Sequence, residues 1–388
     1  MERIVRAMMD LIASEVCGKT IDKTQYALTE DALLQMYKLA KSHDLAHLVG
    51  DALIKNGLIA DEEIKAKFQQ QILLAVCRYE QLQYELTRLK ATLNDAEIPF
   101  IPLKGSVIRQ YYPEPWMRTS CDIDVLVKEA DVSRAMDMLL KCFDGKNITR
   151  THHDISFMTS GSVHIEVHHS LIEGGRIGTA EKLLENIWDY AEPINSSFER
   201  LLRDDMFYYY HLAHMAKHLE GGGCGVRPFL DLWLLEHIEH DEEKRVRLLE
   251  AGGLNTFAAV ASQLAAHWFD GKEAEEPALE LEKYLIDAGA YGSSENHAAV
   301  KQVQKHSKAS YILTRIWMPY RDLKLLYPRL ERHPVLLPVY ELKRWCKLLK
   351  PSMLRRKTKE LQTISGMSDA KIDRAGKLMS TLGLIPGE

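Results

Sequence analysis

The amino-acid sequence predicts an α+β fold, with a small mixed β-sheet core set between mostly helical N- and C-terminal regions. Apolar residues recur at three- and four-residue spacing through residues 1–95, and again from about residue 178 almost to the end, which is the helical period. Between these regions, short apolar segments bounded by turn residues are typical of strands. We therefore expect a helical region at 1–95, an α/β core at 96–175, and a helical region at 176–388 that completes a cleft on the core.

The N-terminal region shows helical signals but no pattern that indicates chemistry. Thr29, with Asp31 just inside, predicts a helix start before residues 32–40. The first sixteen residues carry charges among their apolar positions, which is typical of an amphipathic helix rather than a signal peptide. No apolar run approaches the roughly 18 residues that a membrane-spanning helix needs.

Composition and charge narrow the class of function. The formal net charge of −5 argues against a dedicated nucleic-acid binder, which needs a basic face. The six cysteines are scattered without a C-x-x-C pair, so neither zinc-finger spacing nor a disulfide framework is present. These observations favour a reduced, cytoplasmic protein that does not act on nucleic acid.

The central segment predicts two strands and two helices. Residues 98–103 (IPFIPL) form a short apolar run between turn signals, and Gly105 opens a short helix that ends near Tyr112. Acidic and apolar residues alternate over 122–127, which predicts a strand, and an apolar-periodic helix follows over 132–143.

The strongest chemical signal is the sequence Asp122-Ile123-Asp124. Side chains at positions i and i+2 of a strand point to the same face, so both carboxylates share one small volume while Ile123 and Val125 face the core. Like charges this close raise each other's pKa. A divalent cation removes that penalty, and Mg²⁺ prefers carboxylate oxygens and substrate phosphates. A solvated strand edge is the alternative for an isolated D-x-D.

A third carboxylate is expected beside this pair. Residues 154–159 and 163–168 are extended segments separated by Gly161, which predicts a hairpin. On the second strand valine and isoleucine occupy one face, and Glu166 lies on the other with two histidines. Three carboxylates can hold two metal ions, one activating an attacking hydroxyl and one neutralising a triphosphate.

The turn Lys104-Gly105-Ser106 follows the first predicted strand and opens a helix. Glycine lets backbone amides approach a phosphate, the helix N-terminus adds positive potential, and the Ser106 hydroxyl can donate a hydrogen bond. Because the turn comes just before the acidic strand, all three residues are candidates for nucleotide binding. A plain strand–helix turn is the alternative.

The segments LKGSVIRQYYPEPWMRTSCDIDVLV (103–127) and HIEVHHSL (164–171) resemble the polymerase-β-type nucleotidyltransferase superfamily. That superfamily has a Gly followed by Gly or Ser, a spacer, D-x-D between apolar residues, and a later carboxylate. The resemblance is closest to a bacterial family of uncharacterised nucleotidyltransferases described as similar to aminoglycoside nucleotidyltransferases. The matching residues are Lys104, Gly105, Tyr111 or Tyr112, Arg118, Asp122, Asp124, Glu166 and His168. The spacer before Asp122 is longer than in minimal enzymes, and Cys121 replaces a small residue.

The resemblance implies that Asp122, Asp124 and Glu166 are catalytic and bind Mg²⁺ or Mn²⁺. An NTP, expected to be ATP, would donate a nucleotidyl group to an acceptor hydroxyl or amine, with release of pyrophosphate. The acceptor is expected to be a small molecule. Two alternatives stay open. One is a non-catalytic nucleotide-binding or protein-interaction scaffold on a degenerate core, and the other is nucleotidylation of a protein.

Further residues are candidates for substrate contact. Arg118 suits triphosphate charge, with a structural ion pair to the acidic strand as the alternative. His211, His214 and His218 share one helical face, which predicts a helix that closes over the site, with His214 or His218 touching phosphate or acceptor. A packed or solvated histidine face is the alternative, and a zinc site would need further ligands. His168 is a possible substrate contact beside Glu166.

Two features of the C-terminal region are ambiguous. Arg227 and Asp231 are four residues apart, which predicts a helical ion pair, whereas the resemblance implies that Asp231 could bind a cationic acceptor or act as a base. Residues 342–361 are locally basic, which favours a packed helix with a charged outer face. Contact with an anionic membrane or RNA is the alternative for that stretch.

Overall fold

The structure is a computed structural model of the 388-residue chain. It describes residues 2–26, 28–172, 177, 179–290, 292–304, 317, 318, 320, 323, 324, 327, 329–348 and 368–385. Part of the basic stretch at 342–361 therefore lies outside the described residues.

Helices dominate on both sides of a small sheet, as the sequence predicts. The expected helix start at Thr29 is confirmed, because the Thr29 hydroxyl accepts a 3.3 Å hydrogen bond from the Ala32 amide. None of the helices in the described ranges is long and apolar enough to cross a membrane. The helices are α1 (Glu2–Val16), α2 (Glu30–Ser42), α3 (Ala46–Lys55), α4 (Glu62–Asp95), α5 (Gly105–Ile108), α6 (Val132–Phe143), α7 (Ala180–Leu183), α8 (Asp204–Glu220), α9 (Arg227–Glu236), α10 (Glu242–Gly252), α11 (Asn255–Phe269), α12 (Glu276–Ile286), α13 (Ser294–Gln304), α14 (Arg329–Arg332), α15 (Leu337–Leu348) and α16 (Asp369–Thr381).

The main sheet has five strands in the order β1-β2-β5-β4-β3 and is mixed. Strand β2 pairs in parallel with β5 and antiparallel with β1, while β4 pairs antiparallel with both β3 and β5. The predicted α+β class and the predicted hairpin are both confirmed. The strands are β1 (Phe100–Pro102), β2 (Asp122–Val127), β3 (Lys146–Arg150), β4 (Asp154–Met158) and β5 (His164–His168).

The sequence does not predict three of the strands in the described residues. Strand β3 has five exposed residues, so its sequence carries no alternation between buried and exposed positions. Strands β6 (Ala191–Pro193) and β7 (Arg200–Leu202) form a separate two-stranded sheet inside the region predicted to be helical. Each of them is only three residues long, which is too short for a periodic signal.

The main sheet separates two apolar cores. On one face, Ile123, Val125 and Val127 of β2 pack with the C-terminal half of α4 and with α6. On the other face, Leu126 joins a larger core that contains residues of the N-terminal helices and of α8–α12. Alternation along β2 therefore places Asp122 and Asp124 on the same face as Leu126, the face that the larger core covers.

Candidate metal and nucleotide site

The parallel pairing of β2 with β5 sets the geometry of the acidic residues. Asp124 lies directly opposite Glu166, and Asp122 lies opposite His164. In parallel strands, residues in register point to the same face of the sheet. The three predicted carboxylates of Asp122, Asp124 and Glu166 therefore share the face that carries Leu126.

Asp124 is the most strongly bonded of the three carboxylates. Lys104 Nζ donates a 2.8 Å hydrogen bond to Asp124 Oδ1, and His168 Nε2 lies 2.9 Å from the same oxygen. Burial alone would raise the pKa of Asp124, but the positive charge of Lys104 and the hydrogen bond from His168 hold it well below its usual range. Asp124 is therefore ionised at every physiological pH.

The neighbouring Asp122 has the opposite electrostatics. Burial and the negative charge of Asp124 raise the pKa of Asp122 to about 6. The positive charges of Lys104 and Arg118 oppose this rise, and the carboxylate of Glu166 adds to it. At Asp122, burial and like-charge repulsion therefore outweigh the two cations, and a divalent cation bound between the carboxylates would relieve that repulsion.

Within the described residues, one group of side chains on this face has the spacing of metal ligands. Asp124, Glu166 and His168 form a group that could hold a metal ion, because one ligand atom from each lies within 4.8 Å of the others. The predicted set has Asp122 as its third ligand, whereas this group has His168 instead. Asp122 lines the cavity beside Asp124 and Glu166. Carboxylate oxygens are the ligands that Mg²⁺ and Mn²⁺ prefer, so the residues present fit such an ion.

The turn after β1 brings Lys104 and Gly105 to the acidic face. Lys104 has a φ of 47°, a conformation that non-glycine residues seldom adopt. A Cβ atom on Gly105 would lie 3.3 Å from Arg118 Nη1, so glycine permits the close approach of that guanidinium. Ser106 is not among the residues that line the cavity, and its amide donates to the Leu103 carbonyl. Its hydroxyl is buried without a hydrogen-bond partner among the described residues.

Arg118 connects the sheet to helix α9. Its Nε and Nη2 donate to both carboxylate oxygens of Asp231 at 2.8–3.1 Å, and Tyr112 donates a 2.7 Å hydrogen bond to the same side chain. Asp231 is fully buried. The predicted ion pair between Arg227 and Asp231 is wrong, because Arg227 instead pairs with Asp44.

A cavity of about 390 Å³ joins these residues to the helical regions. Helix α8 contributes His211, His214 and His218, so the predicted histidine face lines this cavity. His214 Nε2 lies 2.9 Å from His218 Nε2, and burial together with the charge of Lys104 holds the pKa of His214 well below its usual value. The three histidines do not form a metal-ligand group in the part of the chain that the structure describes.

The N-terminal region also contributes to the cavity, which the sequence did not reveal. His43 lines it, and Asp44 pairs with Arg227, another lining residue. Asp44 also accepts a 3.0 Å hydrogen bond from Thr119, just before the acidic strand. No local motif marks these positions, since they are contacts between residues far apart in sequence.

Comparison with protein families now identifies the chain. Residues 31–270 match the family described as uncharacterised nucleotidyltransferase. The chain belongs to this family. The matched residues include the whole main sheet, the acidic face, and every described lining residue of the cavity apart from Ala290. Searches of curated proteins and of solved structures found no match.

The raised pKa of Asp122 predicts a pH-dependent cost to stability. Between about pH 4 and about pH 6 the folded chain keeps the Asp122 proton that the unfolded chain has lost, so the free energy of unfolding falls as pH rises. Asp122→Asn removes this term. We expect the unfolding free energy of the variant, relative to wild type, to increase by about 2–3 kcal/mol from the lower to the upper end of that pH range. Urea denaturation with a metal chelator present measures this difference. Asp137→Asn, an exposed carboxylate on α6, is the control. A pH-independent difference would contradict the charge argument.

The contact between Arg118 and Asp231 predicts energetic coupling. Removing Asp231 alone leaves a buried guanidinium without its counter-charge, and we expect Asp231→Ala to cost about 3–5 kcal/mol of unfolding free energy. The double variant, which also carries Arg118→Ala, should lose much less unfolding free energy than the two single variants lose together. The coupling energy of the pair should therefore exceed about 1.5 kcal/mol. Additive effects in the double-mutant cycle would show that the pair is not an ion pair in solution.

Proposed function

We propose that the protein transfers a nucleotidyl group from an NTP, with ATP as the expected donor, to an acceptor hydroxyl or amine and releases pyrophosphate. The observation that carries this proposal is the register of β2 and β5. It places three carboxylates on one face, beside Lys104 and Arg118, at the wall of a cavity of about 390 Å³. Ligand pockets for small molecules have volumes of about 300–1,000 Å³.

Asp122, Asp124 and Glu166 are the proposed ligands of a divalent cation, with Mg²⁺ as the expected ion. When bound, such an ion neutralises phosphate charge and favours the attack of an acceptor on the α-phosphorus. Asp124 suits the ligand role because its pKa is held low, so it does not compete with protons. The same low pKa makes Asp124 a poor general base.

Glu166 is the proposed group that faces the acceptor. Its side chain is 25% exposed, whereas that of Asp124 is 4% exposed, so a nucleophile can approach Glu166 more easily. The acceptor oxygen or nitrogen would bond to the α-phosphorus while the bond from that phosphorus to pyrophosphate breaks. The acceptor proton would pass to Glu166.

Lys104 and Arg118 are the proposed partners of the triphosphate. Lys104 Nζ has further hydrogens besides the one that it donates to Asp124, so it can also contact a phosphate oxygen. Arg118 is held by Asp231 and by the Thr119 carbonyl, which fixes its guanidinium at the cavity wall before a ligand arrives. Preorganised charge of this kind lowers the entropic cost of binding.

The proposed acceptor is a small molecule that is not strongly cationic. Among the described residues that line the cavity, Asp231 is the one carboxylate contributed by the C-terminal helices. Its oxygens already bind Arg118 and Tyr112. A polycationic acceptor of the aminoglycoside kind would find no free carboxylate among the described residues of that wall, so we do not propose an aminoglycoside as the acceptor.

The reaction can be tested with NTPs labelled at the α or the γ position, Mg²⁺, and a small-molecule cell extract as acceptor source. We expect α-label to move to an acceptor and γ-label to appear in pyrophosphate. Asp124→Asn should remove at least about 99% of transfer, because a charge partner of the transition state is lost. Asp137→Asn is the matched control and should retain full activity.

The outcomes separate the alternatives. Transfer of γ-label to the acceptor would show kinase chemistry and refute the proposal. An NTP that binds with Mg²⁺ but yields no transfer, with small molecules or with protein as acceptor, would instead favour a non-catalytic nucleotide-binding scaffold.

A further inference from the structure

Exposed apolar side chains are concentrated in helix α15 and in the residues that precede it. Among the described residues, six of the twelve exposed large apolar side chains lie between residues 317 and 342. This stretch lies outside residues 31–270, the part of the chain that matches the nucleotidyltransferase family. A cluster of exposed apolar side chains marks an interaction surface, so we ask what this stretch contacts.

Three of these side chains share one side of the helix. Val335 lies in the short 3-10 turn that leads into α15, and Val339 and Leu342 follow it at spacings of four and three residues. Residues at these spacings are neighbours on a helix surface. Their exposed fractions are 90%, 59% and 60%. We call Val335, Val339 and Leu342 the apolar stripe.

The buried side of α15 is polar, which reverses the usual arrangement. Arg344 Nε donates a 2.8 Å hydrogen bond to Glu341, and both side chains are buried. Glu341 also accepts a 2.9 Å hydrogen bond from the Met318 amide. A helix on the surface of a globular protein normally turns its apolar side inward. Here the ion pair faces inward and the aliphatic side chains face out, so burial within the chain does not explain the stripe.

The charge around α15 is opposite in sign to that of the whole chain. The sequence 329–361 has ten Lys and Arg against three Asp and Glu, whereas the chain has a formal net charge of −5. Among the side chains of 329–346 that the structure describes, the exposed charged ones are Arg329, Arg332 and Lys343. The charged outer face that the sequence predicts for this stretch is therefore also apolar, since Lys343 lies beside Val339 and Leu342.

We propose that the apolar stripe, together with Lys343, binds the surface of an anionic lipid bilayer, with α15 lying in the plane of the interface. In helices of this kind, aliphatic side chains enter the boundary between headgroups and acyl chains, and basic side chains bind anionic headgroups. Trp317 is exposed and packs against Trp345 of α15, and tryptophan is enriched at bilayer interfaces. None of these residues lines the cavity at the acidic face, so this surface is additional to the proposed transfer site.

An anionic bilayer suits this surface better than RNA or a protein partner. Single-stranded RNA is bound by aromatic side chains that stack on its bases, whereas the stripe is aliphatic. The cores of protein–protein interfaces are depleted of lysine, whereas Lys343 shares the exposed side of α15 with the stripe. A bilayer with anionic headgroups takes up aliphatic and basic side chains together.

One pair of substitutions removes the aliphatic surface without a change of charge. Val339→Ser with Leu342→Ser, the stripe variant, alters side chains that are exposed, so the fold should be retained. Leu73→Ser with Leu74→Ser is the matched control, because these leucines of α4 are 63% and 55% exposed. Melting temperatures of both variants should match wild type.

A second pair removes positive charge and leaves the stripe intact. Arg332→Gln with Lys343→Gln, the charge variant, neutralises two exposed basic residues beside the stripe. Lys146→Gln with Lys272→Gln neutralises two exposed lysines elsewhere on the chain and is the matched control.

The experiment measures flotation of the full chain with vesicles of phosphatidylglycerol and phosphatidylcholine, or of phosphatidylcholine alone. We expect binding to the mixed vesicles to be at least about 10-fold tighter, because each basic residue near an anionic surface adds to the affinity. Salt should weaken this binding, because it screens the charges. The stripe variant and the charge variant should each bind mixed vesicles at least about 10-fold more weakly than wild type. Both controls should change the affinity by less than about 2-fold.

The other outcomes overturn the inference. If wild type floats with neither kind of vesicle, or the stripe variant floats as well as wild type, the stripe does not bind a bilayer. Equal binding to both kinds of vesicle would contradict the role of anionic headgroups. Binding of single-stranded RNA without flotation, lost in the charge variant and kept in the stripe variant, would assign the surface to nucleic acid. A dimer that the stripe variant converts to a monomer, again without flotation, would assign it to a second copy of the chain.

Discussion

The parallel register of β2 and β5 concentrates negative charge on one face of the sheet, and the surrounding structure compensates for it. Asp122, Asp124 and Glu166 lie in a partly buried site where like charges repel strongly. Lys104 and His168 both bond to the same oxygen of Asp124. Lys104 does so from a sparsely populated backbone conformation with a positive φ, which costs on the order of 1–3 kcal/mol and persists only when other contacts impose it.

A second set of contacts fixes the segment that leads into β2. His47 Nε2 lies 2.8 Å from the Met117 carbonyl, and Asp44 accepts a hydrogen bond from Thr119. Arg118, which lies between Met117 and Thr119 in the chain, is bound by Asp231 of α9. The N-terminal helices and the C-terminal helices therefore hold one short segment from two sides. This explains why helices that carry no catalytic motif are part of the site.

The sequence predicted those features that depend on local periodicity. Strand β2 and helix α6 have the predicted bounds, because their alternation and their apolar stripe are intrinsic to their own residues. The common face of Asp122 and Asp124 follows from the period of a strand, whereas Glu166 joins them through the pairing of β2 with β5. Strand β3 was missed because its residues are all exposed.

Contacts between distant segments could not be predicted in this way. Arg118 and Asp231 are 113 residues apart in the chain, and no local pattern links them. The helical neighbour Arg227 looked like the better partner for Asp231 because spacing was the one available signal. The cavity likewise takes its lining from distant segments, such as His43 between α2 and α3 and Arg227 at the start of α9, which meet only once the chain is folded.

The proposed function requires the acidic face to bind a divalent cation together with a nucleotide. A crystal structure with Mn²⁺ and a non-hydrolysable NTP tests this binding, because anomalous scattering locates the manganese. We predict an anomalous peak in contact with carboxylate oxygens of Asp122, Asp124 and Glu166, and with the triphosphate. An ordered triphosphate with no manganese at these carboxylates, or manganese held only elsewhere on the chain, would contradict the claim.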